Sequence, residues 1–248
     1  MKCRILILSA LIFMLSYSFV FAKETIVLTT LEWEPYIGQH LPNQGFVYQL
    51  VTEAFKREGY NVKIEYYPWA RTVKMADDGN VDGYFPEYYA DSRKEFVLFS
   101  DPFDGGPVGF FKLKSNNIKW LKLEDLKHYT IGVVRDYVNE DSFDAADYLK
   151  KDEANDDETN FRKLIGKRLD LIVADRYVGE YILKTKMPAS LNDVEFVSPP
   201  LIEHKLYVCI SKKTRNAQEK ISAFNRGLES MKKDGTYQKI LSDNNIKY

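Results

Sequence analysis

VDGYFPEYYADSRKEFVLFSDPF, residues 81–103, is the stretch on which the reading of the whole chain turns. An aspartate follows a Gly-broken helical segment and leads into a short aromatic strand. A polar turn, Asp91-Ser92-Arg93, separates that strand from the apolar run Phe96–Phe99, and Ser100-Asp101-Pro102 breaks the second strand. Strand, cation-bearing turn and second strand predict the rim of a pocket in an α/β lobe.

On the N-terminal side, Glu24–Thr30 is a β-branched run and predicts the first strand. Pro35 forces Trp33-Glu34-Pro35-Tyr36 into a loop. A helix enters at Gly45 with Phe46, Val47, Leu50, Val51, Ala54 and Phe55 on one face, and Gly59 stops it. Asn61–Tyr67 alternates as a strand, and Pro68 opens a helix carrying Trp69, Val73 and Met75 that closes at Gly79. Strand, helix, strand, helix, strand is the pattern of a parallel α/β sheet.

On the C-terminal side, Val108–Leu113 predicts a strand and Ser115–Lys122 a polar connection, in which Trp120 has no functional role. A second cycle follows. It comprises a short helix at Leu123–Tyr129, a strand at Thr130–Val134, helices at Asp141–Lys151 and Glu158–Ile165 around a solvated acidic segment Asp152–Asp157, a strand at Leu169–Ala174, a helix at Arg176–Lys186 and a strand at Val194–Val197. Gly79-Asn80-Val81-Asp82 and Lys167-Arg168-Leu169-Asp170 sit at the same place in the two cycles, as two lobes built on similar units require. The strand Leu206–Ile210, the amphipathic helix Thr214–Lys233 and a short turn at Ile240-Leu241 have no cycle of their own to complete, so the tail is expected to pack back on the first lobe. The chain then crosses between lobes twice, near Phe111–Ser115 and Glu203–Leu206, and two adjacent crossings make a hinge. The expected division is residues 1–22, 23–112 (first lobe), 113–204 (second lobe) and 205–248 (return to the first).

Residues 1–22 carry Lys2 and Arg4 ahead of the nearly uncharged run Ile5–Phe21, with Val20-Phe21-Ala22 at the end. They read as a signal peptide and imply export to the periplasm; an uncleaved anchor is the alternative. Loss of its two cations takes the formal charge from −1 to −1 − 2 = −3, a balance without the basic excess that nucleic acid or an anionic membrane attracts. The mature chain keeps one cysteine, Cys209, in an apolar strand, so no intramolecular disulfide forms. The three histidines, His40, His128 and His204, lack metal-ligand spacing. There is no phosphate loop or nucleophile motif, and no cofactor is indicated.

In order and spacing these pieces resemble the extracellular solute-binding proteins of the amino-acid-binding type that serve ABC transporters. The resemblance rests on Trp33-Glu34-Pro35-Tyr36, Gly45-Phe46, Gly79–Gly83, and Arg93 followed by Phe99-Ser100-Asp101-Pro102. Further along it rests on Ile131-Gly132-Val133, Asp170 to Asp175, and Asn225, Leu228 and Lys233-Asp234-Gly235-Thr236. It implies an α/β, two-lobed periplasmic-binding-protein (type II) fold with a two-crossing hinge, a monomer that closes on one small, carboxylate-bearing ligand and presents it to an inner-membrane ABC permease or a sensor.

The resemblance also implies roles. Arg93 holds the place of the arginine whose fork grips the ligand carboxylate, and Asp175 that of the aspartate accepting its amino group. From sequence alone Arg93 reads as a surface cation in a polar turn, and Asp175 also reads as the N-cap of the helix at Arg176. Trp33, Tyr36, Trp69 and Tyr88 stand at strand ends or helix starts, where open α/β sheets bind ligands. Trp69 also suits core packing, and Arg71 suits either the cleft or a solvated helix face. Two departures stand out. Ala90-Asp91-Ser92 replaces the usual Thr-Pro-Glu, removing a carboxylate-binding hydroxyl. Arg135-Asp136-Tyr137 replaces a Gly-Thr or Gly-Ser pair, and Asp136 repels an anion there unless Arg135 screens it. Two other functions fit the resemblance: an enzyme on the same fold, similar to cyclohexadienyl dehydratase, with Glu34 or Glu87 as acid or base, and a detached ligand-sensing domain.

Overall fold

The computed structural model describes residues 24–244 and residue 246; the expected signal peptide lies outside them. The first lobe runs β1 (Thr25–Thr30), α1 (Phe46–Arg57), β2 (Asn61–Tyr66), α2 (Trp69–Asp77), β3 (Gly83–Glu87) and β4 (Val97–Phe99). β5 (Phe103–Leu113) leads into β6 (Thr130–Val134), α3 (Asp141–Ala145), β7 (Lys150–Ala154), α4 (Asp157–Ile165), β8 (Leu171–Asp175), α5 (Arg176–Thr185) and β9 (Val194–Phe196). β10 (Ile202–Ser211), α6 (Ala217–Lys233) and α7 (Thr236–Asp243) return the chain. The hydrogen-bonded order is β2-β1-β3-β10-β5-β8-β6-β7, with β4 on β10 and β9 on β5.

The anticipated face of α1 is fully buried: Phe46, Val47, Leu50, Val51, Ala54 and Phe55 are all at 0% exposure. Each large side chain there contributes on the order of 2 kcal/mol by leaving water. The tail completes this core. α6 crosses α1 so closely that a Cβ on Gly227 would sit 2.1 Å from the Ala54 carbonyl oxygen. Arg57 pins the same junction from outside, 2.7 Å from Asp234 Oδ2 and 2.9 Å from Ser230 Oγ.

The two lobes repeat one joint. Asp82 Oδ2 accepts from the Val27 amide of β1 at 2.8 Å, and Asp170 Oδ2 accepts from the Thr130 amide of β6 at 2.8 Å. The residue three positions earlier is left-handed in both, Gly79 at φ 77° and Lys167 at φ 57°, which turns the helix end into the strand.

β5 and β10 carry the hinge. β5 pairs with β10 from Phe103 to Val108 and with β8 from Val108 to Lys112, while β10 leaves β5 at Leu206 to pair with β3 and β4. The outgoing crossing therefore lies several residues before the expected Phe111–Ser115. The strand expected at Val108–Leu113 starts earlier, at Phe103, and includes Gly105-Gly106-Pro107.

Three other expectations change. Asp141–Lys151 is not one helix: it ends at Ala145, and Lys150–Ala154 pairs in parallel with Thr130–Val134 as an edge strand. Its charged sequence suits an edge, where few side chains are covered. The segment Asp152–Asp157 is thus not a solvated linker but the end of a strand entering a helix, with Asp157 buried. The tail beyond Gly235 is a full helix, and Asp91–Glu95 a 3-10 turn. Among the described residues no helix is long and apolar enough to cross a membrane.

Candidate functional site

The loops leaving the carboxyl ends of β1, β2 and β3 face those leaving β6, β7 and β8, and the cleft lies between them. Open α/β sheets hold ligands at such strand ends. Leu31–Tyr36 follows β1, Tyr67–Trp69 follows β2, and Glu87-Tyr88 ends β3. Opposite stand Arg135–Tyr137, Asn155–Asp157 and Asp175.

Asp175 joins the two sides. Its Oδ1 accepts from the Tyr177 and Val178 amides at 2.8 and 3.2 Å, capping α5. Its Oδ2 accepts from the first lobe's Tyr36 and Tyr88 hydroxyls at 3.0 and 3.2 Å. Cap and cleft residue, alternatives in the sequence, are one carboxylate used from both sides. Burial pushes its pKa up to about 6, against the lowering effect of the Val178 amide, Tyr36, the Tyr177 amide and Tyr88. The site is closely built here: a Cβ on Gly106 of β5 would fall 2.4 Å from Tyr36 Oη and 2.8 Å from Asp175 Oδ2.

Aromatic rings make the walls. Trp33 stacks on Tyr36 at 4.5 Å and meets Tyr88 edge-on at 5.9 Å; Trp69 meets Tyr137 edge-on at 5.8 Å. Tyr88 stacks on its other face against His204 at 4.1 Å, and His204 Nε2 donates to the Asn139 carbonyl. Burial lowers the His204 pKa. A void of about 20 Å³ lies among Trp33, Trp69, Glu87, Tyr88 and Tyr137. Beside it a larger cleft of about 610 Å³ shares Leu31, Trp33, Trp69 and Tyr137 with that void.

Carboxylates dominate the lining. Glu32, Glu34, Asp156, Asp157 and Glu158 line the larger cleft, where Lys186 is the one lysine or arginine among the described lining residues. Lys186 stands 3.9 Å from Glu34, across the lobes. Asp157, missed in the sequence, accepts from Tyr137 Oη at 3.2 Å. Burial raises its pKa to about 7; Tyr137 and the Trp33 indole lower it, while the charges of Asp175 and Asp156 raise it. Glu87 is also raised to about 7 by burial, against the Arg93 guanidinium, the Tyr84 hydroxyl and the Tyr88 amide.

The three predicted arginines are engaged elsewhere. Arg93 Nε lies 3.2 Å from Glu87 Oε2, and its Nη2 donates to the Asp136 carbonyl of the second lobe. Trp69 Nε1 donates to that same carbonyl at 3.0 Å. Asp136 takes the left-handed conformation at φ 62°, one that Asp tolerates better than most residues, and so presents its carbonyl to both donors. Arg93 lines an outer depression with Arg71, Lys74 and Asp136. Arg71 is exposed with its guanidinium over the Tyr67 ring at 4.2 Å. Arg135 is exposed and paired with Glu153 at 3.0 Å, so it does not screen Asp136. Of the nine predicted site residues, Trp33, Trp69, Tyr88 and Tyr137 line the cavities, and Tyr36 and Asp175 are bonded and stacked behind them. Asp157, Glu87, Gly106 and His204 join them. The signal for Asp157 was its place in an Asp-Asp pair at a strand-to-helix junction, the same junction that gave Asp175. No group of three or more His, Cys, Asp or Glu among the described residues is placed to hold a metal.

Comparison with known proteins agrees with this architecture. An ancestral arginine-binding protein bound to arginine superposes with a TM-score of 0.76 at 26% identity, covering 89% of this chain and 98% of its own. A histidine kinase sensor domain with similarity to periplasmic binding proteins gives 0.78 at 19% identity over 89% and 96% of the two chains. The substrate-binding protein of an amino acid ABC transporter gives 0.73 at 20% over 88% and 98%. No curated protein sequence matches the chain. The profile of the bacterial extracellular solute-binding proteins, family 3, matches residues 26–244. The chain belongs to that family.

Proposed function

We propose that this protein is a periplasmic solute receptor, exported by residues 1–22, that closes its lobes on one small amine-bearing solute and presents it to an ABC permease. The solute is of the amino-acid type in size and polarity, and the protein does no chemistry on it. One observation carries the reading: Asp175, fixed by the amides at the mouth of α5, is reached by Tyr36 and Tyr88 from the other lobe. Asp175 already accepts four hydrogen bonds, so an ammonium group takes the place of the Tyr36 or Tyr88 hydroxyl there, and a ligand so bound stabilises the closed arrangement over the open one. The arginine- and amino-acid-binding neighbours support this reading.

The test is a thermal-shift screen against amino acids, amines, small carboxylates and sugars. A true ligand at a hundredfold excess over its Kd stabilises the fold by about 2.7 kcal/mol. Asp175→Ala removes a helix cap, about 1 kcal/mol, and should leave a folded protein that no longer responds. No response from the wild type to any compound refutes the reading. The sensor-domain neighbour favours one second reading. If deletion of the gene abolishes ligand-dependent transcription and leaves uptake intact, the protein is a sensor rather than an importer component.

A further inference from the structure

We infer that the solute is an organic cation without a carboxylate, a free amine or guanidine, and that the cleft reads positive charge alone. The inference rests on the receptor reading above and concerns what that same site selects. Its ground is where the charges stand. A zwitterion needs a cationic grip for its carboxylate. Arg93, Arg71 and Arg135 all stand outside the aromatic cleft, on Glu87 and the Asp136 carbonyl, on the Tyr67 ring, and on Glu153 respectively.

Arg93 makes an ion pair with Glu87 and one hydrogen bond, to the Asp136 carbonyl, although its buried Nε has no aligned hydrogen-bond acceptor. Releasing it to a ligand would leave Glu87, 3% exposed, without its cationic partner, and would break a bond between the lobes. Breaking a buried ion pair by removing one partner is strongly destabilising. The second lobe offers one lysine, Lys186, at the rim of the larger cleft, and its Nζ stands 3.9 Å from Glu34 of the first lobe, away from the aromatic void. At the mouth after β6 stands the Asp136 carbonyl, at the mouth of α4 Asp156 and Asp157 line the cleft, and at the mouth of α5 Asp175 lies buried behind Tyr88.

For a cation the same surface is complementary except at Lys186, which is turned to Glu34. Trp33, Trp69, Tyr88 and Tyr137 meet edge to face and so enclose the small void on several sides with ring surfaces, and ring faces attract a cation. Two of those rings are tied by their hydroxyls to carboxylates, Tyr88 to Asp175 and Tyr137 to Asp157. Glu87 lines the void itself. The larger cleft continues outward past Asp156, Glu158 and Glu34, room for a chain with a second positive end.

Matched pairs of probes that differ only in the carboxylate test this. Isothermal titration of the exported chain with agmatine and L-arginine, cadaverine and L-lysine, and L-glutamate measures the contribution of that group directly. The inference requires that agmatine or cadaverine bind at least as tightly as its parent amino acid, that L-glutamate not bind, and that Asp157→Asn weaken the bound amine at least tenfold. Tenfold tighter binding of either parent amino acid, or binding of L-glutamate, overturns it and restores a carboxylate grip. Absence of binding by all five probes also overturns it. If the broad screen then finds a neutral or anionic ligand, the receptor reading survives; if the screen too is empty, the receptor reading falls as well.

Discussion

Asp157 should make the unliganded protein more stable in mild acid, opposite to the usual behaviour of a surface carboxylate. Its carboxyl moves from 3.8 to about 7 on folding, chiefly through burial. A raised carboxyl pKa means that the folded state holds the proton more firmly than the unfolded chain does. Between the two values the folded state therefore binds more protons, and stability falls as pH rises through about 7. At pH 8 the group is ionised in both states and the fold carries the full cost of a buried charge. At pH 5 it is protonated in the fold and largely ionised in the unfolded chain, and the difference is worth about 2.7 kcal/mol. For a domain of this size that corresponds to roughly 5–10 °C in melting temperature.

Other groups titrate in the same window, Asp175 and Glu87 among them, so the assay is a comparison. Thermal unfolding of wild type and Asp157→Asn is followed by circular dichroism from pH 5 to pH 8 without ligand. Asparagine keeps the shape and still accepts from Tyr137, but it cannot ionise. The variant should melt higher than wild type at pH 8 and show a flatter pH dependence, the two profiles converging toward pH 5. Parallel profiles would refute the reasoning, because they would show that Asp157 titrates alike in the folded and unfolded chains.

The affinity of the cleft for a cation should run the other way, rising about a hundredfold from pH 5 to pH 8 if binding needs Asp157 ionised; titration calorimetry in buffers of different ionisation heat would also show proton release. Gly106→Ala forces Tyr36 and Tyr177 away from the new methyl group, whose Cβ would lie 2.4 and 2.8 Å from them. It should weaken ligand binding at least tenfold while costing about 1–3 kcal/mol in urea unfolding. Lys220 is buried with its Nζ 2.7 Å from Asp82 and 3.3 Å from Glu24. Lys220→Met should therefore destabilise the first lobe by about 3 kcal/mol, with the loss read as a lower urea midpoint.

Much of the fold was legible because its signals are local. The apolar spacing of α1 and the Gly79 and Gly235 stops announce themselves within a dozen residues. The paired Asp82 and Asp170 joints are visible as a repeat before their strand-capping bonds are seen. β7 was not legible. Lys-Lys-Asp-Glu-Ala carries no apolar alternation, and only the exposed edge of Thr130–Val134 makes it a strand. That single miss turned Asp157 from the first residue of a helix into part of a linker, and so hid the second carboxylate of the cleft.

Arg93 shows a different limit. Its position relative to Phe99-Ser100-Asp101-Pro102 is legible in sequence, but its partner is not. Glu87 lies six positions upstream at the end of β3 while Arg93 sits within the 3-10 turn Asp91–Glu95, and the Asp136 carbonyl lies on the other lobe. A guanidinium is always charged and must be matched wherever it is buried, so what it does is decided by which acceptor reaches it first. In this chain the protein's own acceptors reach it. A site that spends its arginine on closing its lobes has carboxylates and ring faces left for the solute, and these select charge of the opposite sign.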